Sequence, residues 1–324
     1  MRREASPPAT RPAEAWPDAE RLLRGLEWRV LRRLDGALHG DYRGLLFGPG
    51  DDLADLREYQ MHDDVRHIDW NVTARLDTPY VRRYHEDRDL AAWFLVDLSA
   101  SAEVGAHRSR ARVALDVVAV LARLLVRRGN RVGALRYRQG IDARVELGSG
   151  RRQVLRLLHA LTAPGSPRRP PAGTGTRLHE LVEAALPMLK RRSQVVLLSD
   201  FHSEPGWEAP LGRLAQRHEV VAVRLTDPLD GMLPELGLLL LGDAESGEQI
   251  LVDTGDPRLR RRHAEAAERR EARLQQAFAA AGVDVLELST DEDLAEALLR
   301  FVRLRRRVAE RRGGPRWPVA GGTA

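Results

Sequence analysis

The chain has 324 residues, of which 43% are hydrophobic and 31% charged, and this is enough for one large domain or two small ones with hydrophobic cores. It has no cysteine, which excludes disulfides, thiolate zinc sites and cysteine nucleophiles. The formal net charge is +5, and Lys190 is the only lysine among the 52 basic residues. This arginine excess leaves nucleic-acid binding open. Because the arginines are spread through predicted helices that also carry acids, solvated helix faces are the favoured interpretation.

The two ends of the chain and its longest apolar runs bear on localisation. Residues 1–18 are rich in Pro, Ala and charged residues and are predicted to be disordered, as are residues 309–324. The first twenty residues lack the apolar core of a signal peptide, and no segment reaches the roughly 18 uninterrupted apolar residues of a membrane span. The sequence therefore predicts a cytoplasmic protein.

Residues 19–89 are predicted to form a small subdomain. It begins with a helix from about residue 18 to residue 39, in which leucines recur at helical spacing. A glycine-rich loop follows. Three short segments of strand or irregular character come next, at residues 53–60, 65–76 and 79–88, and Trp70 in the second of them is expected in the core.

Residues 90–308 alternate between apolar strand-like runs and helical periodicity. The predicted strands are residues 90–97, 131–138, 143–148, 193–200, 219–227, 236–243, 248–254 and 283–290, and the predicted helices are residues 107–129, 151–161, 177–191, 207–217, 257–281 and 291–308. Pro187 is expected to kink the third of these helices near its end. This alternation predicts an α/β fold, with a mostly parallel sheet and helices on both faces.

Oxygen-bearing side chains gather where two of the predicted strands end. Asp97 and Asp200 end buried strands, Ser99 and Ser101 follow the first, and Thr176 stands just before a helix. Ligands of such sheets bind beyond the carboxyl ends of the strands, and Mg²⁺ prefers hard oxygen ligands. The pattern favours a metal site, although an aspartate and serines after a strand also cap helices.

The segments "DLSAS", "GT" and "SD" resemble the metal-ion-dependent adhesion site of von Willebrand factor A domains, and the stretch "LREYQMHDDVRHIDWNVTARLDTPYVRRYHEDRDLAAWFLVDLSAS" resembles the DUF58 family of bacterial von Willebrand A-like proteins. The resemblance, from about Gly44 to Phe301, implies a Rossmann-like von Willebrand A domain. It also implies a non-enzymatic binding protein. The implied ligands of Mg²⁺ (or Mn²⁺), directly or through water, are Asp97, Ser99, Ser101, Thr176 and Asp200. A partner's acidic residue would complete the coordination, and MoxR-type AAA+ ATPases are the implied partners of such adaptors.

A second polar cluster lies in the segment "MHDDVRHIDW". It contains His62, Asp63, Asp64, His67 and Asp69. Imidazoles and carboxylates of this kind could hold Zn²⁺ or Mn²⁺ in a metal-dependent phosphohydrolase. Such sites need further ligands from separate helices, and neighbouring arginines could pair with these acids instead, so the favoured interpretation is structural: ion pairs that fix how the subdomain docks.

Overall fold

The computed structural model describes residues 55–60, 78–83, 91–105, 108–164, 175–245 and 248–311, with residues 30, 33, 34, 68, 70, 73 and 74 as isolated positions. Of the predicted first helix, Val30, Arg33 and Leu34 are helical, and Val30 and Leu34 are buried in the core. The other residues of that helix lie outside the described part of the chain.

The centre of the fold is a mostly parallel sheet, which confirms the predicted α/β class. Its six described strands are β3 (Ala91–Asp97), β4 (Arg131–Tyr137), β5 (Ile141–Gly148), β6 (Gln194–Ser199), β7 (Glu219–Thr226) and β10 (Asp284–Ser289). They lie in the order β10-β7-β6-β3-β4-β5. All neighbours are parallel except β4 and β5. When these six strands are numbered 1 to 6 in chain order and read from β5, they have the 3-2-1-4-5-6 order of Rossmann-like sheets.

Six α-helices are described, and they cover both faces of this sheet. They are α1 (Arg110–Arg127), α2 (Gly150–Thr162), α3 (Leu178–Ala185), α4 (Glu208–Arg217), α5 (Pro257–Ala281) and α6 (Leu294–Arg311). Alternate residues of β3 face opposite cores: Phe94 packs with α1, α2 and α6, whereas Leu95 packs with α3, α4 and α5. Burial on both sides explains why β3 and β6 are continuous apolar runs.

Helices α3 and α6 end three or more residues away from their predicted ends. Helix α3 ends at Ala185 instead of continuing through a kink, because Pro187 has no N–H to donate; the N–H groups of Met188 and Leu189 close the turn on the Ala185 carbonyl instead. Helix α6 continues to Arg311, so residues 309–311 are helical and not part of a disordered tail. Residues 312–324 lie outside the described part.

Two small antiparallel pairs lie apart from the main sheet. Strands β1 (Asp55–Glu58) and β2 (Tyr80–Arg83) form the first, and β8 (Leu238–Gly242) and β9 (Gln249–Asp253) form the second. In the predicted strand or irregular segment 65–76, Trp70, Thr73 and Ala74 are helical. The expectation that Trp70 is core is wrong: it is 69% exposed and belongs to neither of the two hydrophobic cores, which are built from the main sheet and its helices.

Arg136 on β4 is a buried charge that joins the sheet to α2. Its guanidinium forms two hydrogen bonds with the carboxylate of Asp142, of 2.7 and 3.0 Å. It also donates to the carbonyls of Ala160, Leu161 and Ala163. These carbonyls lie at the C-terminal end of α2, where no further N–H group of the helix can bond to them. Because a cation at a helix C-terminus also complements the helix dipole, this one side chain satisfies two structural needs.

We expect Arg136→Ala to lower the free energy of unfolding by about 3–5 kcal/mol, since it removes the donor of the Asp142 carboxylate and of the Ala160 and Leu161 carbonyls. Urea unfolding followed by circular dichroism would measure this loss. Arg144→Ala is the matched control: its ion pair with Glu146 is exposed, and the expected loss is below about 1 kcal/mol. Equal losses in the two variants would contradict the role of Arg136.

Candidate metal centre

The candidate site lies where the strand order of the main sheet reverses. From β3 the chain continues to β4 on one side, whereas β6 pairs with β3 on the other. The loops after β3 and β6 therefore diverge and leave a crevice beyond the carboxyl ends of these two strands. Asp97 is the last residue of β3 and Asp200 directly follows β6, so both carboxylates lie at this crevice.

The carboxylate of Asp97 is buried and held from two sides. Its Oδ1 accepts a hydrogen bond of 3.0 Å from the backbone N–H of Ser99, and its Oδ2 accepts one of 2.7 Å from the hydroxyl of Ser199. Only 2% of Asp97 is exposed. Ser199 was not predicted as a site residue, although its position next to Asp200 at the end of β6 was a usable signal.

The hydroxyls of Ser99 and Ser101 lie side by side, with 3.2 Å between their Oγ atoms. A 3₁₀ helix over Ala100–Glu103 makes this possible, because it turns the chain tightly right after the strand. In an octahedral Mg²⁺ site with bonds of 2.0–2.1 Å, neighbouring ligand oxygens are about 3 Å apart. The two hydroxyls therefore have a spacing that suits adjacent ligands of one ion.

Thr176 lies in a loop that is tied to two strand ends. Its carbonyl accepts a hydrogen bond of 2.9 Å from the N–H of Glu204, after β6. The next residue, Arg177, donates its N–H to the hydroxyl of Tyr137 at the end of β4, at 3.0 Å. Thr176 is buried, and its Oγ1 donates to Oε1 of Glu245 at 2.9 Å. The N–H of Ser101 donates to the same oxygen, also at 2.9 Å.

Asp200 carries a buried oxygen atom without a hydrogen bond. Its Oδ1 accepts from the N–H of His202 at 2.9 Å, but its Oδ2 has no hydrogen-bond partner, although Nδ1 of His202 lies 3.4 Å away. A buried carboxylate oxygen without a donor is costly in an ion-free protein. A cation at the crevice would remove that cost.

The chain directly after Asp200 has an unusual backbone conformation. Phe201 has a φ of 59°, in the left-handed region that costs a residue with a side chain roughly 1–2 kcal/mol. Its ring packs against Trp207 and Phe278, with centroids 5.2 and 4.8 Å away. These aromatic contacts help to offset the strain and fix the direction in which the chain leaves β6.

The electrostatics of the two aspartates differ. Burial and the negative charge of Asp200 raise the pKa of Asp97 to about 6, despite the hydrogen bonds from Ser199 and Ser99. Burial would also raise the pKa of Asp200, but the neighbouring His202 and the positive charge of Arg110 outweigh it and hold that pKa below its ordinary value. Arg110, the first residue of α1, also donates to Asp230 and to the carbonyl of Ser101.

The residues present fit a small divalent cation. All five predicted ligands lie at one edge of the sheet: two buried carboxylates, an adjacent pair of hydroxyls and a threonine that Glu245 links to Ser101. Among the described residues, no group of three or more His, Asp and Glu side chains is arranged to hold a metal ion. The predicted set has only two carboxylates and relies on hydroxyls and water, so the metal assignment stays a prediction.

Glu245 and Arg110 were missed, because contacts between such distant residues leave no local sequence pattern.

The second candidate cluster cannot be located in the same way. His62, Asp63, Asp64, His67 and Asp69 all lie outside the described residues. The phosphohydrolase interpretation and the structural one therefore both stay predictions.

Comparison with protein-family models shows which family the chain belongs to. The family model described as "Protein of unknown function DUF58" matches residues 55–273. The chain belongs to the DUF58 family. This DUF58 protein is 39% identical over 295 residues to the uncharacterized protein Rv1480 of Mycobacterium tuberculosis, a match that covers 90% of this chain and 92% of that one. It is also 37% identical over 167 residues to an uncharacterized protein of Mycobacterium avium, across 51% of this chain and 96% of that one.

Solved structures give more distant similarities. An aerotolerance-related membrane protein from Bacteroides fragilis is 14% identical, with a TM-score of 0.44, and the match covers 66% of this chain and 99% of that one. The VWA domain of SpRpn10 is also 14% identical, with a TM-score of 0.37 and coverage of 65% and 94%. Within the described part of this DUF58 protein, no helix is both long and apolar enough to cross a membrane.

The raised pKa of Asp97 predicts that, in the presence of a chelator, the difference in stability between the wild type and Asp97→Asn depends on pH. The folded chain holds the Asp97 proton up to a pH of about 6, whereas the ordinary pKa of an Asp carboxyl is 3.8. Between these values the folded chain binds more protons than the unfolded chain, so each rise in pH destabilises the wild type relative to Asp97→Asn. We expect Asp97→Asn to be more stable at pH 7 by up to about 3 kcal/mol, and the difference to vanish near pH 4.

Urea unfolding in EDTA at several pH values would measure this difference. Asp256→Asn is the control, because asparagine replaces aspartate well at the N-terminal cap of α5. Equal stability of the wild type and Asp97→Asn at pH 7 would show that the Asp97 carboxylate is not held at an energetic cost.

Proposed function

We propose that this protein is a non-enzymatic, Mg²⁺-dependent protein-binding adaptor that uses a metal-ion-dependent adhesion site. The observation that carries the proposal is the buried Oδ2 of Asp200, which has no hydrogen-bond partner and lies at the same crevice as Asp97, Ser99, Ser101 and Thr176. These five residues are the proposed ligands, directly or through water. Mn²⁺ takes the same oxygen ligands and is the alternative ion.

The chain's own residues give the site its binding properties. Asp97 and Asp200 supply negative charge in a buried setting, where electrostatic interactions are stronger than in water. Ser199 and the N–H of Ser99 fix the orientation of the Asp97 carboxylate, as outer hydrogen bonds commonly do for metal ligands. When bound, the ion would supply a positive centre that accepts an acidic side chain of a protein partner.

The proposed partner is a protein with an exposed acidic residue, and the proposed setting is an assembly with a MoxR-type AAA+ ATPase. The sequence resemblance to DUF58 proteins supports this partnership. The site supports only the chemistry of this recognition, because the five proposed ligands would leave one position of an octahedral coordination sphere for a partner's carboxylate. Recognition would then require the ion, the partner's acid and the protein surface around the crevice together.

Substitution of a proposed ligand tests this function directly. We expect Ser99→Ala to lower the affinity for Mg²⁺ by at least about tenfold and to abolish capture of acidic protein partners, because one oxygen of the site is lost. Titration calorimetry with MgCl₂ would measure the first effect, and affinity capture in Mg²⁺ compared with EDTA would measure the second. Ser149→Ala is the control, since Ser149 is exposed and its side chain does not cap α2.

The proposal would be wrong if Ser99→Ala bound Mg²⁺ and captured the same proteins as the wild type. It would also be wrong if capture by the wild type were equal in Mg²⁺ and in EDTA. A nucleic-acid partner instead predicts affinity that falls steeply with salt and does not depend on Ser99.

A further inference from the structure

The hairpin of β8 and β9 lies outside the main sheet and carries an exposed apolar face. Leu238 and Leu240 are two residues apart on β8 and therefore lie on the same face of the hairpin. Leu251 of β9 pairs with Leu240 and shares that face. These three residues, called the leucine face below, are 68, 61 and 64% exposed. Single exposed leucines are common on protein surfaces, whereas a contiguous apolar face marks an interaction site.

The leucine face is held in place at both ends of the hairpin. At the base, the hydroxyl of Thr254 donates to the Gly237 carbonyl at 2.7 Å. At the tip, the carboxylate of Glu245 accepts from the N–H of Ser101 and from the hydroxyl of Thr176. A surface that is already ordered loses little conformational entropy when another molecule covers it. The leucine face is therefore preorganised for binding.

The two ends of the hairpin carry opposite charge. Residues 242–249, which form the tip, contain three acids and no basic residue, and Asp243 and Glu248 among them are exposed. Residues 253–262, at the base and the start of α5, contain four arginines and two aspartates. One of these aspartates, Asp256, already caps α5, and Arg261 and Arg262 are exposed. The hairpin is thus acidic at its tip and basic beyond its base.

This order of charges selects the molecule that covers the leucine face. A uniformly anionic molecule, such as a nucleic acid or an acidic membrane surface, is repelled by the tip, and a uniformly basic one is repelled by the base. A second copy of the chain, rotated by half a turn, presents the reverse order of charges. Each tip then faces the base of the other hairpin, and the leucine face packs against itself, as two-fold symmetric dimers require.

We infer that the leucine face is a dimer interface of this protein, in which two hairpins pack face to face and tip to base. The leucines form the apolar centre of this interface and the charged ends form its polar rim, which is the usual arrangement in protein complexes. The inference does not rest on the proposed function. Because each tip is attached to a candidate metal centre, the dimer would present two such centres to a multivalent partner.

Sedimentation velocity in EDTA tests the dimer and its contact surface. At about 1–100 µM, the range of moderately tight complexes, the wild type is expected to approach twice the 36.3 kDa mass of one chain. Leu240→Lys should raise the dissociation constant of the dimer at least about tenfold, because it places a charge among the leucines. Leu251→Lys should act in the same way. Leu304→Lys on α6 is the matched control and should not change this constant, since Leu304 is exposed but lies outside the hairpin.

An exchange of charges tests the tip-to-base arrangement. Glu248→Arg should weaken the dimer, because it brings a positive charge towards the arginines of the other copy. The double variant Arg261→Glu/Arg262→Glu should also weaken it, because acids then face acids. The variant with all three changes should dimerise more tightly than either of these, since charges in contact are coupled and the two ends are again opposite in sign.

Each contrary result overturns a stated part of the inference. A wild type that stays monomeric over this concentration range would show that a second copy does not cover the leucine face, which then belongs to a different protein. A dimer that Leu240→Lys leaves unchanged would be held together by another surface. Failure of the combined charge exchange to strengthen the dimer would rule out the tip-to-base arrangement. Because every sample contains EDTA, these outcomes are independent of Mg²⁺ binding and of the proposed adhesion site.

Discussion

The structure depends on two carboxylates held together at the carboxyl ends of adjacent parallel strands. Asp97 and Asp200 are almost completely buried, and the negative charge of Asp200 makes ionisation of Asp97 more costly. The strands that present them lie between two apolar cores, so neither carboxylate can turn away to water. The hydrogen-bond donors and positive charges next to the two aspartates respond to this concentration of negative charge.

Those responses differ for the two acids. The Asp97 carboxylate accepts from a neighbouring hydroxyl and a backbone amide, whereas Asp200 has the charge of Arg110 and the imidazole of His202 nearby and keeps one oxygen without a hydrogen bond. Glu245 joins two loops at this edge, because its Oε1 accepts from both the hydroxyl of Thr176 and the N–H of Ser101.

The sequence predicted the parts of this arrangement that leave a local pattern. The runs before Asp97 and Asp200 are continuously apolar because both faces of those strands are buried, and an acid that ends such a run is conspicuous. Glu245 lies between two predicted strands, and nothing near it in sequence indicates where such a two-stranded hairpin will lie. Trp70 was misplaced for a related reason: hydrophobicity favours burial but does not say whether the core has room for another ring.

The conformation of Phe201 links the chemistry of one side of the sheet to packing on the other. Phe201 leaves β6 with a left-handed backbone, and its ring packs against Trp207 and Phe278. Phe278 belongs to α5, the helix that begins shortly after β9. Asp200 is the immediate neighbour of Phe201. These aromatic side chains are thus constrained twice, by the volume they fill and by the backbone direction they set for the neighbouring carboxylate.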